Sequence, residues 1–198
     1  MVLALDYLDS MMYSIVASGI LSSVALWKLP YNASSGSVDE SGKNTSRALA
    51  ATIGLNGLYL FITGLAISLQ WPFTIASGVY NILFGGVATM GGLVLLSFST
   101  VLFLNKSLKP VSYFAAVLGV YLIVDAVAML NYNLTSNPLL GALLYISVSV
   151  ASFLSIPATH SDNKWLRRLF AIIALAYALA WLYFGANVTY GHLKPPAK

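Results

Sequence analysis

Residues 47–71, RALAATIGLNGLYLFITGLAISLQW, decide the fold of this chain. The segment begins with an arginine, ends with a tryptophan and has roughly 20 mostly apolar residues between them, enough to cross a bilayer as one helix. On a helical wheel, one face is mostly small and contains Ala50, Gly54, Gly57, Phe61, Gly64 and Ser68. The opposite face is polar and contains Thr52, Asn56, Tyr59 and Thr63. Because neither face suits lipid, we predict that this helix is the buried hub of a membrane bundle.

The composition of the whole chain is that of an integral membrane protein. Of its 198 residues, 59% are hydrophobic and 8% are charged, whereas soluble domains have about 25% charged residues. A chain of this length is expected to form one domain, residues 1–198, in which the spanning segments leave no room for a soluble catalytic domain. The chain has no cysteine, which excludes disulfides and thiolate metal sites.

Six apolar segments are predicted to span the membrane, at residues 11–27, 48–69, 79–104, 111–132, 138–159 and 169–190. Eight basic residues lie in alternate connections: Lys28, Lys43, Arg47, Lys106, Lys109, Lys164, Arg167 and Arg168. The positive-inside rule places these connections in the cytoplasm and both termini outside, in a multi-pass protein of the plasma membrane. The net charge of +4 is thus explained by the basic connections and reflects the orientation of the chain in the membrane. We therefore expect no nucleic-acid partner. The first connection, residues 31–46, is expected to be a flexible cytoplasmic loop.

The third span repeats the small-residue pattern of the second. One of its faces contains Asn81, Gly85, Ala88, Gly92 and Ser99. Small residues let two helix backbones approach closely where lipid is as apolar as leucine. We therefore predict a hairpin of the second and third spans in which Gly57 or Gly64 contacts Gly85 or Gly92.

The tryptophans indicate depth in the membrane. Trp27 and Trp165 are expected at the inner interface and Trp71 at the outer one, where indole rings are common. Trp181 lies deeper in the sixth span, so we expect it to pack inside the bundle.

The acidic residue Asp125 lies inside the fourth predicted span, where a charge is costly without a partner or a water-filled cavity. It shares a stripe of that span with Tyr121. Two interpretations stay open: Asp125 binds a proton or cation, or it is a structural group hydrogen-bonded to a neighbouring helix. Asn56, Tyr59 and Asn81 complete a candidate intramembrane polar site, either as part of a polar pathway or as interhelical hydrogen-bonding groups.

No cofactor and no metal are predicted. The two histidines, His160 and His192, lie on opposite sides of the membrane in this topology, so they do not share a metal. No predicted span contains a histidine, which argues against a self-contained haem. The sequence also has no Ser-His-Asp set and no phosphate-binding glycine loop. Asn133 and Asn187 start Asn-x-Ser/Thr triplets on the outer side, where glycosylation and chance occurrence both stay open.

Five short motifs, taken in order, resemble those of a known family: WP at 71–72, YNI at 80–82, FG at 84–85, NPLL at 137–140 and YGHL at 190–193. This family of small archaeal and bacterial membrane proteins is catalogued as domain of unknown function 981. The resemblance covers most of the chain from the second span onward and implies a polytopic membrane fold. It implies no activity, because the family has none assigned.

The function favoured by the sequence is that of a non-catalytic subunit or scaffold of a larger membrane complex. The chain is small, lacks a catalytic constellation and has helix faces suited to close packing. The alternative is a small-solute or ion translocator in which Asp125, Asn56 and Asn81 face a shared cavity. A membrane enzyme is the third hypothesis. The expected partners are the lipid bilayer and either other membrane proteins or further copies of the chain.

Overall fold

The computed structural model describes residues 7–29, 31–32, 37–38, 42–72 and 78–193. Within these residues, six helices are long and apolar enough to cross a membrane. They are α1 (Tyr7–Lys28), α2 (Lys43–Gln70), α3 (Val87–Phe103) together with the π-helix (Asn81–Gly86) that leads directly into it, α4 (Lys109–Tyr132), α5 (Pro138–His160) and α6 (Lys164–His192). The predicted all-α fold with six apolar helices is confirmed.

The helices that follow the basic connections start earlier than predicted. α2 begins at Lys43 and α6 begins at Lys164, so Arg47 and Arg168 lie inside helices. Near the start of α2, Ser46 Oγ donates a hydrogen bond to the Leu102 carbonyl oxygen at the end of α3, at 3.1 Å. This bond gives the first turns of α2 a tertiary partner that the local sequence does not reveal.

The connection between α1 and α2 differs from the predicted loop over residues 31–46. Two short strands, β1 (Tyr31–Asn32) and β2 (Ser37–Val38), pair antiparallel with Tyr31 opposite Val38. Residues 43–46 are already helical. Residues 30, 33–36 and 39–41 lie outside the described residues, so the predicted flexibility of this segment stays a prediction.

Side-chain caps fix the starts of α5 and α6. Asn137 Oδ1 accepts a hydrogen bond from Leu140 N at 3.1 Å, and Asn163 Oδ1 accepts one from Trp165 N at 2.9 Å. Each cap satisfies a backbone N–H that has no partner inside its own helix. Pro138 occupies the first helical position, where its missing N–H costs nothing. The connections that result, residues 133–137 and 161–163, are short.

Consecutive helices run antiparallel and form a closed ring, because α6 also packs against α1. The most extensive contacts join α1 with α6, α2 with α3, and α4 with α5, while these three pairs touch one another more loosely. We name the end where α2, α4 and α6 begin the basic end. The opposite end, where α1 begins and α6 ends, is the terminal end. At the basic end, the Arg168 guanidinium lies 5.7 Å from the Trp27 ring centre and 5.5 Å from that of Trp165.

The contact between α2 and α3 is almost backbone to backbone. A Cβ atom added to Gly57 would lie 3.0 Å from the Gly92 carbonyl oxygen, and one added to Gly64 would lie 2.8 Å from the Gly85 carbonyl oxygen. Gly54 faces a serine hydroxyl of α3. The structure therefore places the five glycines singled out in the sequence at this contact, where any larger side chain would push the helices apart.

Small residues also form the other two close pairs, which the sequence analysis did not single out. In the α1–α6 pair, a Cβ added to Gly19 would lie 2.7 Å from the Ala174 carbonyl oxygen. In the α4–α5 pair, Ser149 Oγ donates to the Gly119 carbonyl oxygen at 2.8 Å. All three pairs thus depend on the close approach that small residues permit.

The prediction that α2 is the buried hub of the bundle is wrong. α2 packs against α1 on one side and against α3 and its π-helix on the other. Its third side carries large apolar residues that are exposed, with Leu55 at 71%, Ile62 at 55% and Leu69 at 76%. The two faces unsuited to lipid do contact helices, but the leucine-rich stripe between them leaves α2 on the periphery of the ring.

Candidate functional site

A cavity of 610 Å³ lies inside the ring of helices. All six helices contribute to its wall, although α2 contributes only Leu60. The wall includes Leu108 and Phe170 near the basic end and Phe84 and Val188 near the terminal end, so the cavity extends along most of the bundle. Its volume falls in the range of about 300–1,000 Å³ that is typical of small-molecule sites.

The wall of the cavity is mostly apolar. It has no charged side chain among the described residues. Several of its hydroxyl groups donate to backbone carbonyl oxygens of their own helices: Ser18, Ser112, Ser152, Ser155 and Thr159. Ser136 and Asn137, in the connection between α4 and α5, are exposed residues of this wall. The cavity therefore reaches the surface at the terminal end.

Two residues of the predicted polar site, Asn56 and Tyr59, hold α2 to α1. Ser14 Oγ donates to Asn56 Oδ1 at 2.6 Å, and Asn56 Nδ2 donates to the Ser14 carbonyl oxygen at 3.0 Å. The Tyr59 and Ser10 hydroxyls are hydrogen-bonded to each other. Both predicted site residues therefore act between helices, and neither belongs to the cavity wall.

Asn81 is fully buried at the first residue of the π-helix. Its Nδ2 donates to the Gly78 carbonyl oxygen at 3.1 Å, and it does not line the cavity. Within the π-helix, the Leu83 carbonyl oxygen accepts a hydrogen bond from the Tyr145 hydroxyl at 2.9 Å. Tyr145 belongs to the cavity wall. This bond therefore joins the π-helix to a wall residue of α5. Short π-helical turns are frequent at functional sites.

Asp125 is buried, with 6% of its surface exposed. It lies near Tyr121 and Tyr145, and the Tyr121 hydroxyl lies against Gly86. Asp125 Oδ2 has no hydrogen-bond partner among the residues that the structure describes. The side chain is thus enclosed, as the structural interpretation expects, but Oδ2 lacks the expected hydrogen bond. It also lies outside the cavity wall, which the translocation hypothesis would require it to join.

The structure does not bring Asp125, Asn56 and Asn81 to one cavity. Asp125 and Asn81 both lie in the terminal half of the bundle. Asn56 lies roughly 18 Å closer than Asn81 to the basic end, at about 1.5 Å of helical rise per residue, since its neighbour Gly57 packs on Gly92. The three residues therefore have separate surroundings.

Replacing Asp125 by asparagine is expected to preserve the fold. Oδ2 makes no hydrogen bond to the described part of the chain that the amide would lose, so we expect the free energy of unfolding to change by no more than about 1 kcal/mol, or roughly 3 °C in Tm. Thermal unfolding in detergent measures this change. Proton flux into liposomes, followed with a pH-sensitive dye, is expected to be the same for the variant and the wild type. A flux that the variant abolishes would restore the translocation hypothesis.

Among the described residues, no three His, Asp or Glu side chains are grouped so that they would hold a metal ion. The side chain of His192 lies outside the described residues.

Sequence reasoning missed the cavity itself. It did predict that Trp181 packs inside the bundle, and the 6% exposure of this residue confirms the prediction. A further signal was present in the fifth span, where Tyr145, Ser152 and Thr159 recur every seven residues and all lie in the wall. Such a stripe marks one helix face. It does not reveal whether that face meets another helix or an open space.

The fold and the cavity define the class of this protein: a polytopic α-helical membrane protein with an apolar space inside a ring of six helices. The chain matches the family model described as "Protein of unknown function (DUF981)" over residues 1–195, and it belongs to that family. The resemblance noted from the motifs is confirmed. No curated protein and no solved structure shows significant similarity to the chain.

Proposed function

We propose that this protein binds an apolar molecule in the cavity inside its membrane-spanning bundle. The observation that carries the proposal is the 610 Å³ cavity with a mostly apolar wall and an opening at the terminal end. Ligand sites generally combine an apolar lining with a few polar groups that fix orientation. In the wall, Ser136 and Asn137 are exposed polar residues of this kind.

The energetic cost of an empty cavity supports occupancy. Unfilled space inside a protein costs about 24 cal/mol per Å³ in lost contacts. The mostly apolar wall of this cavity therefore favours an apolar molecule over water. An apolar molecule that enters from the membrane would remove most of this cost.

Native mass spectrometry of the protein extracted gently from its own membrane tests the proposal. We expect a population whose mass exceeds that of the chain by one bound apolar molecule. This adduct should survive the activation energy that strips loosely attached phospholipids, because it lies inside the ring of helices. Release of every adduct together with the loosely attached lipid would overturn the proposal.

A second proposal is that the protein is a non-catalytic subunit or scaffold of a membrane complex. Its support is the brevity of the described connections, since residues 133–137 and 161–163 offer no soluble domain for chemistry. Ligand binding and membership of a complex are compatible. The same mass spectra report on partners. Stoichiometric partners would support this proposal, and extraction of the chain without any bound partner would contradict it. The translocator alternative has less support, because Asp125, Asn56 and Asn81 lie outside the cavity wall.

We also propose that the basic end faces the cytoplasm of a plasma-membrane protein, with both termini outside. The chain has no cysteine, so single-cysteine variants are easily labelled. An impermeant maleimide is expected to label Ser136→Cys in intact cells and Asp162→Cys only after permeabilisation, because the positive-inside rule keeps the basic end inside. The opposite labelling pattern would invert the proposed orientation.

A further inference from the structure

Two tryptophans hold an arginine at the basic end of the bundle, where α1 ends and α6 begins. The Arg168 guanidinium lies over the Trp27 ring at 5.7 Å and over the Trp165 ring at 5.5 Å, measured to the ring centres. Contacts of a cation with the faces of aromatic rings use none of the five N–H donors of a guanidinium. The two rings therefore restrict the position of the Arg168 side chain and leave its N–H groups for an acceptor.

The described part of the chain supplies no acceptor for these N–H groups. Arg168 is exposed, and it forms no hydrogen bond or ion pair there. Asp162 is the described acidic residue of the basic end, and it is not paired with Arg168. The surrounding charge is positive, because Lys28 lies in the last turn of α1 and Lys164 and Arg167 lie at the start of α6. A bound anion would reduce the repulsion among these cations.

Apolar side chains continue from Arg168 toward the middle of the membrane. On α6, Ile172 follows Arg168 by one helical turn, and on α1, Val24 precedes Trp27 by about one turn. Both side chains are exposed. Because α1 and α6 run antiparallel and pack closely, both residues lie on the membrane side of Arg168. An acyl chain would pack on this surface, whereas a free phosphate ion would not.

We infer that the Arg168 guanidinium, held by Trp27 and Trp165, binds the phosphate group of an anionic phospholipid. The planar guanidinium matches two phosphate oxygens at once, which a lysine ammonium does not. Indole rings are common at the level of the lipid headgroups, and basic pockets at the ends of membrane helices bind anionic headgroups. None of the three residues lies in the cavity wall, so this inference is independent of the proposed function.

A comparison of two lipids on the wild-type protein tests the inference. Native mass spectrometry of the full chain in detergent gives the affinity for phosphatidylglycerol and for phosphatidylcholine with the same acyl chains. Both lipids contain a phosphate group, but the choline cation would be repelled by the basic residues around Arg168. We therefore expect one phosphatidylglycerol to bind about 10-fold more tightly than phosphatidylcholine. Equal affinities would overturn the inference without any dependence on the folding of a variant.

Variants locate the site. Arg168→Gln should weaken phosphatidylglycerol binding about 10-fold, because hydrogen bonds between charged groups are lost. Lys106→Gln is the matched control, since it removes one charge from an exposed residue at the same end, and it should weaken binding by less than about 2-fold. Arg168→Lys keeps the charge without the paired N–H groups and should also lose most of the affinity. Equal losses in Arg168→Gln and Lys106→Gln, or full binding by Arg168→Lys, would overturn the inference.

Inorganic phosphate distinguishes a lipid headgroup from a free phosphate ion. Isothermal titration calorimetry of the delipidated protein with inorganic phosphate is expected to show much weaker binding than that of phosphatidylglycerol, because the ion has no acyl chain to bury apolar surface. Phosphate binding that is as tight as that of the lipid, and that is lost in Arg168→Gln, would assign the site to a free phosphate ion and overturn the inference.

Discussion

Gly92→Ala is expected to lower the free energy of unfolding by about 3 kcal/mol, or roughly 6–12 °C in Tm. The added Cβ would lie 2.7 Å from the Gly57 carbonyl oxygen and 2.7 Å from Phe61 Cα. Both are backbone atoms of α2, so no side-chain rotation relieves the overlap and the two helices must separate. Thermal unfolding in detergent, followed by circular dichroism, measures the change.

The adjacent glycine provides a matched control. A Cβ on Gly91 would meet only Leu118 Cδ2, at 3.9 Å, which is ordinary van der Waals contact. Gly91→Ala should therefore keep or raise the Tm, since alanine is favoured over glycine in a helix by up to about 1 kcal/mol. Equal Tm values for the two variants would contradict the backbone contact between α2 and α3. Gly119 is unsuitable as a control, because a Cβ there would lie 3.2 Å from the Ser152 Cβ of α5.

Ala115→Phe is expected to reduce ligand retention by about 10-fold or more, because its ring would occupy the cavity and displace the ligand. Ala115 lies in the wall, on the buried side of α4. The Tm of the ligand-free protein should stay the same or rise, since a side chain that fills a cavity restores contacts. Native mass spectrometry gives the bound fraction, and thermal unfolding gives the stability.

Val117→Phe is the corresponding control on the same helix. Val117 is 56% exposed, on the outer side of α4, so a larger side chain there meets lipid. This variant should retain the bound molecule at the wild-type level. Loss of the ligand from both variants, or from neither, would contradict the assignment of the cavity as the binding site.

The sequence determined the membrane class, the number of spanning helices and the glycines that permit close packing of α2 on α3. These features depend on local properties: the length of apolar runs and the spacing of small residues around a helix. The sequence predicted the starts of α2 and α6 too late, because the charged residues Lys43 and Lys164 were assigned to connections. In the structure these residues are helical, and near the start of α2 Ser46 makes a tertiary hydrogen bond to α3. Asn56 and Tyr59 were recognised as polar groups needing partners, but their partners on α1, Ser14 and Ser10, were not.

Only the tertiary structure decided which faces meet and what lies between them. The buried position predicted for α2 was wrong because a helical wheel ranks faces without counting the available neighbours, and the side chains of Leu55 and Leu69 are largely exposed. The cavity has a similar origin: it exists because three closely packed pairs touch one another loosely, and the resulting space is set by the volumes of residues distant in sequence. Apolar side chains that line a cavity and those that fill a core have the same pattern along the chain. The difference between them is a matter of three-dimensional packing.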